Sequence, residues 1–142
     1  MDLRYKAREL AFKKIYSIDI NRNSGGDIYD IFSLEDVLDI EELKLFYSVL
    51  VNGTYENLES IDKLISDISL NWRLERMDKV DLAILRLSVF SLKFQDLEVP
   101  KRAVIDEAVL IARKYGSRNS YKFVNGILDG LLKDMESSFE SK

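Results

Sequence analysis

At 142 residues the chain has room for one ordinary domain, or for two small subdomains that share a core, and 46% hydrophobic with 32% charged residues is too apolar for disorder and too interrupted for a membrane span. It contains no cysteine and no histidine, which removes disulfides, a thiol nucleophile, the commonest zinc ligands and the usual general base near neutral pH, so a non-catalytic protein with no metal or cofactor is expected. The formal net charge is -4, yet residues 1–20 carry five basic against three acidic side chains, residues 21–100 eight against sixteen, and residues 101–142 eight against six.

Two basic ends around an acidic middle predict a single positive face wherever the fold joins the ends. The opening MDLRYKAREL has no apolar signal-peptide core, so a cytoplasmic protein is expected. A single proline, Pro100, and few β-branched alternations predict an all-α chain. The first helix is expected over about Leu3–Ile20, with Leu3, Ala7, Leu10, Ala11 and Ile18 on one arc. NRNSGGD (21–27) reads as a loop, and Gly25-Gly26 with no lysine after it is no phosphate cradle. A short helix is expected over about Ile28–Asp39, broken near Ser33. A longer one follows over Glu41–Ile68, interrupted or kinked at Gly53.

Leu70–Asp78, with the only tryptophan (Trp72), reads as a link between helical subdomains of about 1–70 and 71–142. From Lys79 to Phe94 apolar residues fall almost all round the helix, which predicts the centre of the core. Pro100 then opens a helix that ends with Gly116 just past its last turn. Ser117, Asn119 or Ser120 caps a final helix running to about Met135, with a frayed tail. In that helix Phe123, Ile127, Leu131 and Met135 read as core, and Gly126 and Gly130 as places where another helix packs closely.

Chemistry is expected at two places. Arg113, Lys114, Arg118 and Lys122 surround the loop Gly116–Asn119, with no acidic residue between Glu107 and Asp129. A local cationic patch on an acidic protein fits a polyanion. On the first helix, at about 100° per residue, Tyr5, Phe12 and Tyr16 form an aromatic arc bordered by Arg8, with Lys13 farther round. Rings among cations suit unpaired RNA, because bases stack on the rings while cations meet phosphates. The same rings also serve as packing against a neighbouring helix. Phe123 is open to both readings too. Asp78 is placed to cap the central helix and Arg86 to pair with a carboxylate, either as ordinary ion pairing or as part of a protein-binding surface.

Taken in order, Ala7-Arg8-Glu9, the NW at 71–72, VDLAILRL at 80–87, VP at 99–100, IDEAVLIARKYG and KFVNGILD at 122–129 resemble the NusB family of transcription antitermination factors. The resemblance covers nearly the whole chain. It implies an all-α fold of about seven helices in two packed bundles. It also implies binding to the single-stranded boxA element of ribosomal RNA leader transcripts, together with the ribosomal protein NusE, within the RNA polymerase antitermination complex. Carried across, the basic N-terminus of the family falls on Arg4, Lys6 and Arg8, with Tyr5 where another arginine is common. The RNA-facing tyrosine of the first helix matches Tyr16. Contacts around KFVNG match Asn119, Lys122 and Phe123, beside Arg118 of the cationic loop as a further candidate RNA contact, and Asn119 replaces an acidic residue found in some members. The NusE-facing side falls on Asp81 and Arg86. Some members form homodimers that cover the RNA face, so both a monomer and a homodimer fit. Two other readings remain: the related accessory domain of ribosomal-RNA cytosine methyltransferases, and a purely protein-binding helical adaptor.

Overall fold

The computed structural model describes residues 3–24, 41–70, 72–95 and 100–140. Among them are six α-helices, one short 3-10 turn and no strand. The helices are α1 (Leu3–Ser24), α2 (Glu41–Glu56), α3 (Leu58–Ser69), α4 (Lys79–Phe94), α5 (Lys101–Tyr115) and α6 (Ser120–Glu140), and the 3-10 turn is Leu74–Arg76. The short helix expected at Ile28–Asp39, and the Gly25-Gly26 pair before it, lie outside the described residues.

α4 is the hub. From Asp81 to Leu92 every residue except Arg86 is buried, and the helix packs against all five others. This is the outcome its all-round apolar pattern predicts, since a helix with no polar face is stable only when surrounded. Asp78 starts it as expected, its carboxylate accepting from the backbone N–H of Val80 at 2.8 Å and of Asp81 at 3.4 Å. One continuous apolar cluster joins α4 to Ala7, Ala11 and Ile15 of α1, Leu50 of α2, Ile61 and Ile65 of α3, Ile105 of α5 and Leu128 of α6.

Several boundaries differ from the expectation for identifiable reasons. α1 extends to Ser24, and the Asn21 amide donates to the Ser17 carbonyl at 2.9 Å, tying the last turns together. The segment 41–68 breaks at Asn57 rather than at Gly53. There the Asn57 backbone N–H (3.1 Å) and side-chain amide (2.8 Å) both donate to the Gly53 carbonyl. Gly53 itself stays helical, because α2 crosses α4 so closely that a methyl group at this position would collide with the Phe90 ring. α6 runs to Glu140, past the expected end at Met135.

The glycines divide in the same way. Gly116 is not left-handed (φ -88°); its hydrogen atom makes room for the Ser120 side chain, whose hydroxyl accepts from the Ser117 N–H at 2.8 Å. Gly130 meets Ile68 as a packing glycine, whereas Gly126, expected to pack, faces open space.

Candidate nucleic-acid interface

Side-chain contacts join α1 to α5. Arg8 is 3% exposed; its Nε donates to Glu107 at 2.8 Å and its Nη1 to the Ser91 hydroxyl at 2.7 Å. Burial lowers its pKa and Glu107 opposes that shift, so the guanidinium stays charged within the protein. Glu9, also buried, accepts from Lys114 at 2.8 Å and from the Tyr115 hydroxyl at 3.1 Å. Burial pushes the Glu9 carboxyl up, but these two hydrogen bonds and the Lys114 charge outweigh it and hold its pKa below the usual range. The N-terminal half of α1 is thereby fixed beside the C-terminal end of α5, next to the expected cationic loop.

The N-terminal basic set does not form one strip. Arg8 is buried, which removes it from the surface set expected from the resemblance: its charge is already met by Glu107. Arg4 and Lys6 are both exposed, but they point about 200° apart round the helix. Arg4 lies over the Phe46 ring of α2 at 5.9 Å. Tyr5 is half-buried, and burial followed by the nearby Glu9 charge raises its pKa, so it stays a neutral phenol. Tyr16 lies three turns farther along, in a hollow of about 620 Å³ with Phe12, Ile20, Val80 and Tyr115. Its ring is 6.4 Å from Phe12, which is 5.2 Å from Tyr115, so a row of aromatics connects it to the end of α5.

At the α5–α6 loop the exposed side chains are Ser117, Arg118, Asn119 and Lys122, with Phe123 half-buried beside them. Phe123 makes an edge contact with Trp72 at 5.9 Å, and Trp72 is itself 55% exposed. These two rings, with Arg76, Asp78, Asp81, Asn119 and Ser120, line a cleft of about 390 Å³. Asp81 is 7% exposed, its Oδ1 has no hydrogen-bond partner, and burial raises its pKa against a hydrogen bond from Ser120. Arg86 is not on that cleft. It makes a two-pronged pair with Asp62 of α3 at 2.9 and 3.0 Å and has Asp19 of α1 at 3.9 Å, so its charge is met internally.

Several of the cations are already met by carboxylates. Lys79 and Arg86 meet Asp19, Arg102 meets Asp106 and Asp129, Lys114 meets Glu9, and Lys133 meets Asp129. Among the described residues Arg113, Arg118 and Lys122 have no carboxylate partner, and all three sit at the tip of the α5–α6 hairpin. Asn125, one turn further along α6, is a structural acceptor for Arg102 at 3.2 Å. Sequence reading missed Trp72 and Tyr121 as site residues. Both reach the site through contacts between elements, which no single-helix periodicity displays.

The sequence profile of the NusB family matches residues 5–133. The transcription antitermination protein NusB of Borreliella burgdorferi is 68% identical over 141 residues, covering 97% of this chain and 99% of that relative. Among solved structures, T. maritima NusB is 38% identical, with a TM-score of 0.79 over 92% of this chain and 90% of its own. A chain from a crystal structure of antitermination factors NusB and NusE in complex with dsRNA is 25% identical, with a TM-score of 0.76 over 94% of this chain and 98% of its own. The expected all-α fold therefore holds. The methyltransferase accessory domain is not what these comparisons support, since the matches are to antitermination proteins over nearly their full length.

Proposed function

The chain belongs to the NusB family, and we propose that it is a non-catalytic, cytoplasmic antitermination factor that binds boxA-like RNA of ribosomal RNA leaders together with NusE, within the RNA polymerase antitermination complex. The observation that carries the RNA face is the group of unneutralised cations at the α5–α6 hairpin, on a protein whose net charge is -4. Arg118 and Lys122 meet phosphates, Asn119 offers an uncharged donor where a carboxylate would repel the strand, and the exposed part of Phe123 takes a base. Tyr5 and Lys6 offer a second, separate contact whose far edge Tyr16 marks, and Arg4 stands apart on the other side of α1, over Phe46. An unpaired strand is favoured over a duplex because rings serve only bases whose faces are free.

NusE is assigned to the cleft side. Asp81 there has an oxygen without a partner, Asp78 lines the same cleft, and a basic protein supplies the missing donor. Arg86 supports that side from within, by joining α4 to α3 and α1.

The test is a fluorescence titration of labelled boxA-like RNA, a scrambled strand and the matching duplex, each with and without NusE, across a salt series. The boxA-like strand binds tighter than either control, and NusE tightens it further. Each phosphate neutralised contributes about -0.7 to the salt slope for a single strand. No preference for the boxA-like strand under any of these conditions refutes the proposal.

A further inference from the structure

Two directions lead away from the Phe123 ring, and charge separates them. Across Trp72 lies the cleft lined by Asp78, Asp81 and Arg76, where a phosphate meets two carboxylates against one guanidinium. Across the hairpin, on the seam between α5 and α6, Arg113 lies over the ring of Tyr121, its Cζ 4.2 Å from the centroid, and Lys122 Nζ is 5.8 Å from the same centroid. Arg113 is exposed and has no carboxylate partner among the described residues, while its neighbour Lys114 is held by Glu9. A guanidinium placed over a ring has lost much of its freedom before any ligand arrives, so less remains to be lost on binding. One turn back along α5, Leu110 is 54% exposed, an apolar surface next to that cation.

We propose that Arg113, seated on Tyr121, is a further RNA contact: an unpaired strand leaves the hairpin loop along the α5–α6 seam toward Leu110, with a base against the Arg113 guanidinium and a phosphate at its edge. The inference rests on the RNA reading above and adds a direction to it. Arg113 touches the RNA. Tyr121 positions Arg113. A planar guanidinium does both jobs at once, because it stacks through its face and donates through its rim, whereas an ammonium does only the second.

The experiment is the salt-series titration of labelled single-stranded boxA-like RNA, run on the full chain with Arg113→Ala, Arg113→Lys, Tyr121→Leu and Tyr121→Phe, each checked for folding by circular dichroism. Arg113→Ala weakens binding about tenfold and flattens the salt slope by about 0.7. Arg113→Lys keeps the slope and still loses several-fold in affinity. Tyr121→Phe binds as wild type because the ring remains, and Tyr121→Leu behaves like Arg113→Lys. Duplex RNA, whose base faces are covered, loses affinity with Arg113→Ala only through the salt term. If Tyr121→Leu does not fold, crosslinking of 4-thiouridine-labelled RNA to the wild-type protein replaces it; the expected adduct falls on the α5 peptide carrying Leu110 and Arg113, and adducts confined to residues 118–123 overturn the seam. Wild-type affinity and slope for Arg113→Ala, with Lys122→Ala impaired, overturns the seam and leaves the RNA reading standing. Absence of RNA binding by the wild-type protein overturns that parent reading instead.

Discussion

Arg8 sets the scaffold and surface readings against each other, and replacing it with methionine separates them. The substitution keeps most of the side-chain volume and removes the charge. It leaves Glu107 without its 2.8 Å partner and the Ser91 hydroxyl without its 2.7 Å donor. Breaking a buried ion pair by deleting one member costs about 3–5 kcal/mol. The Arg8 side chain is 4% exposed and that of Glu107 is 23% exposed, so water partly rehydrates the abandoned carboxylate and the cost falls at the lower end, about 3 kcal/mol. For a chain of this length each kcal/mol moves Tm by about 3 °C, which predicts a drop of about 9 °C. The double variant Arg8→Met/Glu107→Gln recovers much of the loss, because removing both charges of a buried pair is far milder than removing one. Thermal unfolding followed at 222 nm reads the first quantity, and RNA titration well below the variant's Tm reads the second. The reasoning fails if Arg8→Met unfolds within about 2 °C of wild type while its RNA affinity collapses, since Arg8 would then be spent on RNA and not on Glu107.

Other consequences follow from particular contacts. The Glu9 carboxyl, held below its ordinary 4.5 by Lys114 and Tyr115, contributes stability that is present above the unfolded value and is lost as pH falls through the folded one. A urea series at descending pH should therefore show wild type losing stability faster than Glu9→Gln below about pH 4.5; parallel curves would contradict the pairing. Asp81 shifts the opposite way: burial raises its pKa, so its charged form is disfavoured in the fold, and Asp81→Asn should raise Tm at pH 7 with the gain vanishing below about pH 4. The same variant weakens NusE binding if the unpartnered Oδ1 is the docking group, which a pull-down with purified NusE measures. Gly53→Ala should destabilise by about 1–3 kcal/mol through collision with Phe90, whereas Gly126→Ala, open to solvent on α6, should stabilise by up to about 1 kcal/mol. Denaturant midpoints of opposite sign test both, and equal effects would refute the packing account.

What the sequence displays and what it hides follow one rule of distance. α4 is legible because burial on every side requires an apolar residue at nearly every position, and that pattern is complete within sixteen residues. The Asp78 cap and the missing acids around the α5–α6 loop are legible for the same reason. The break at Asn57 is not, because apolar spacing continues straight through it. It depends on an asparagine capturing the Gly53 carbonyl, and the glycine is there because α4 crosses at Phe90. Arg8 misleads for a related reason: a basic residue near a basic terminus reads as surface, while Glu107 and Ser91, which bury it, come 99 and 83 positions later. Gly126 and Gly130 look identical in sequence, yet only Gly130 has a neighbour.

The same logic sharpens the site. A count of charges finds a positive end and a negative middle but does not say which cations are available. Pairing does: Lys114 and Arg102 stand in the basic segment, yet Glu9, Asp106 and Asp129 already hold them. At the hairpin Arg113, Arg118 and Lys122 are left without a carboxylate among the described residues, while the orphaned Asp81 oxygen and Asp78 line the cleft that Phe123 borders, together with Arg76. A polyanion and a cationic protein therefore have no reason to compete for the same surface. On the proposed assignment the hairpin draws the polyanion and the cleft carboxylates draw the cationic protein, which sets the two side by side at Phe123. Long-range attraction fades beyond about 10 Å at 0.1 M salt, which makes the effect local: adding one negative charge at the hairpin, as in Asn119→Glu, should cost RNA binding far more than adding the same charge at an exposed site on α2.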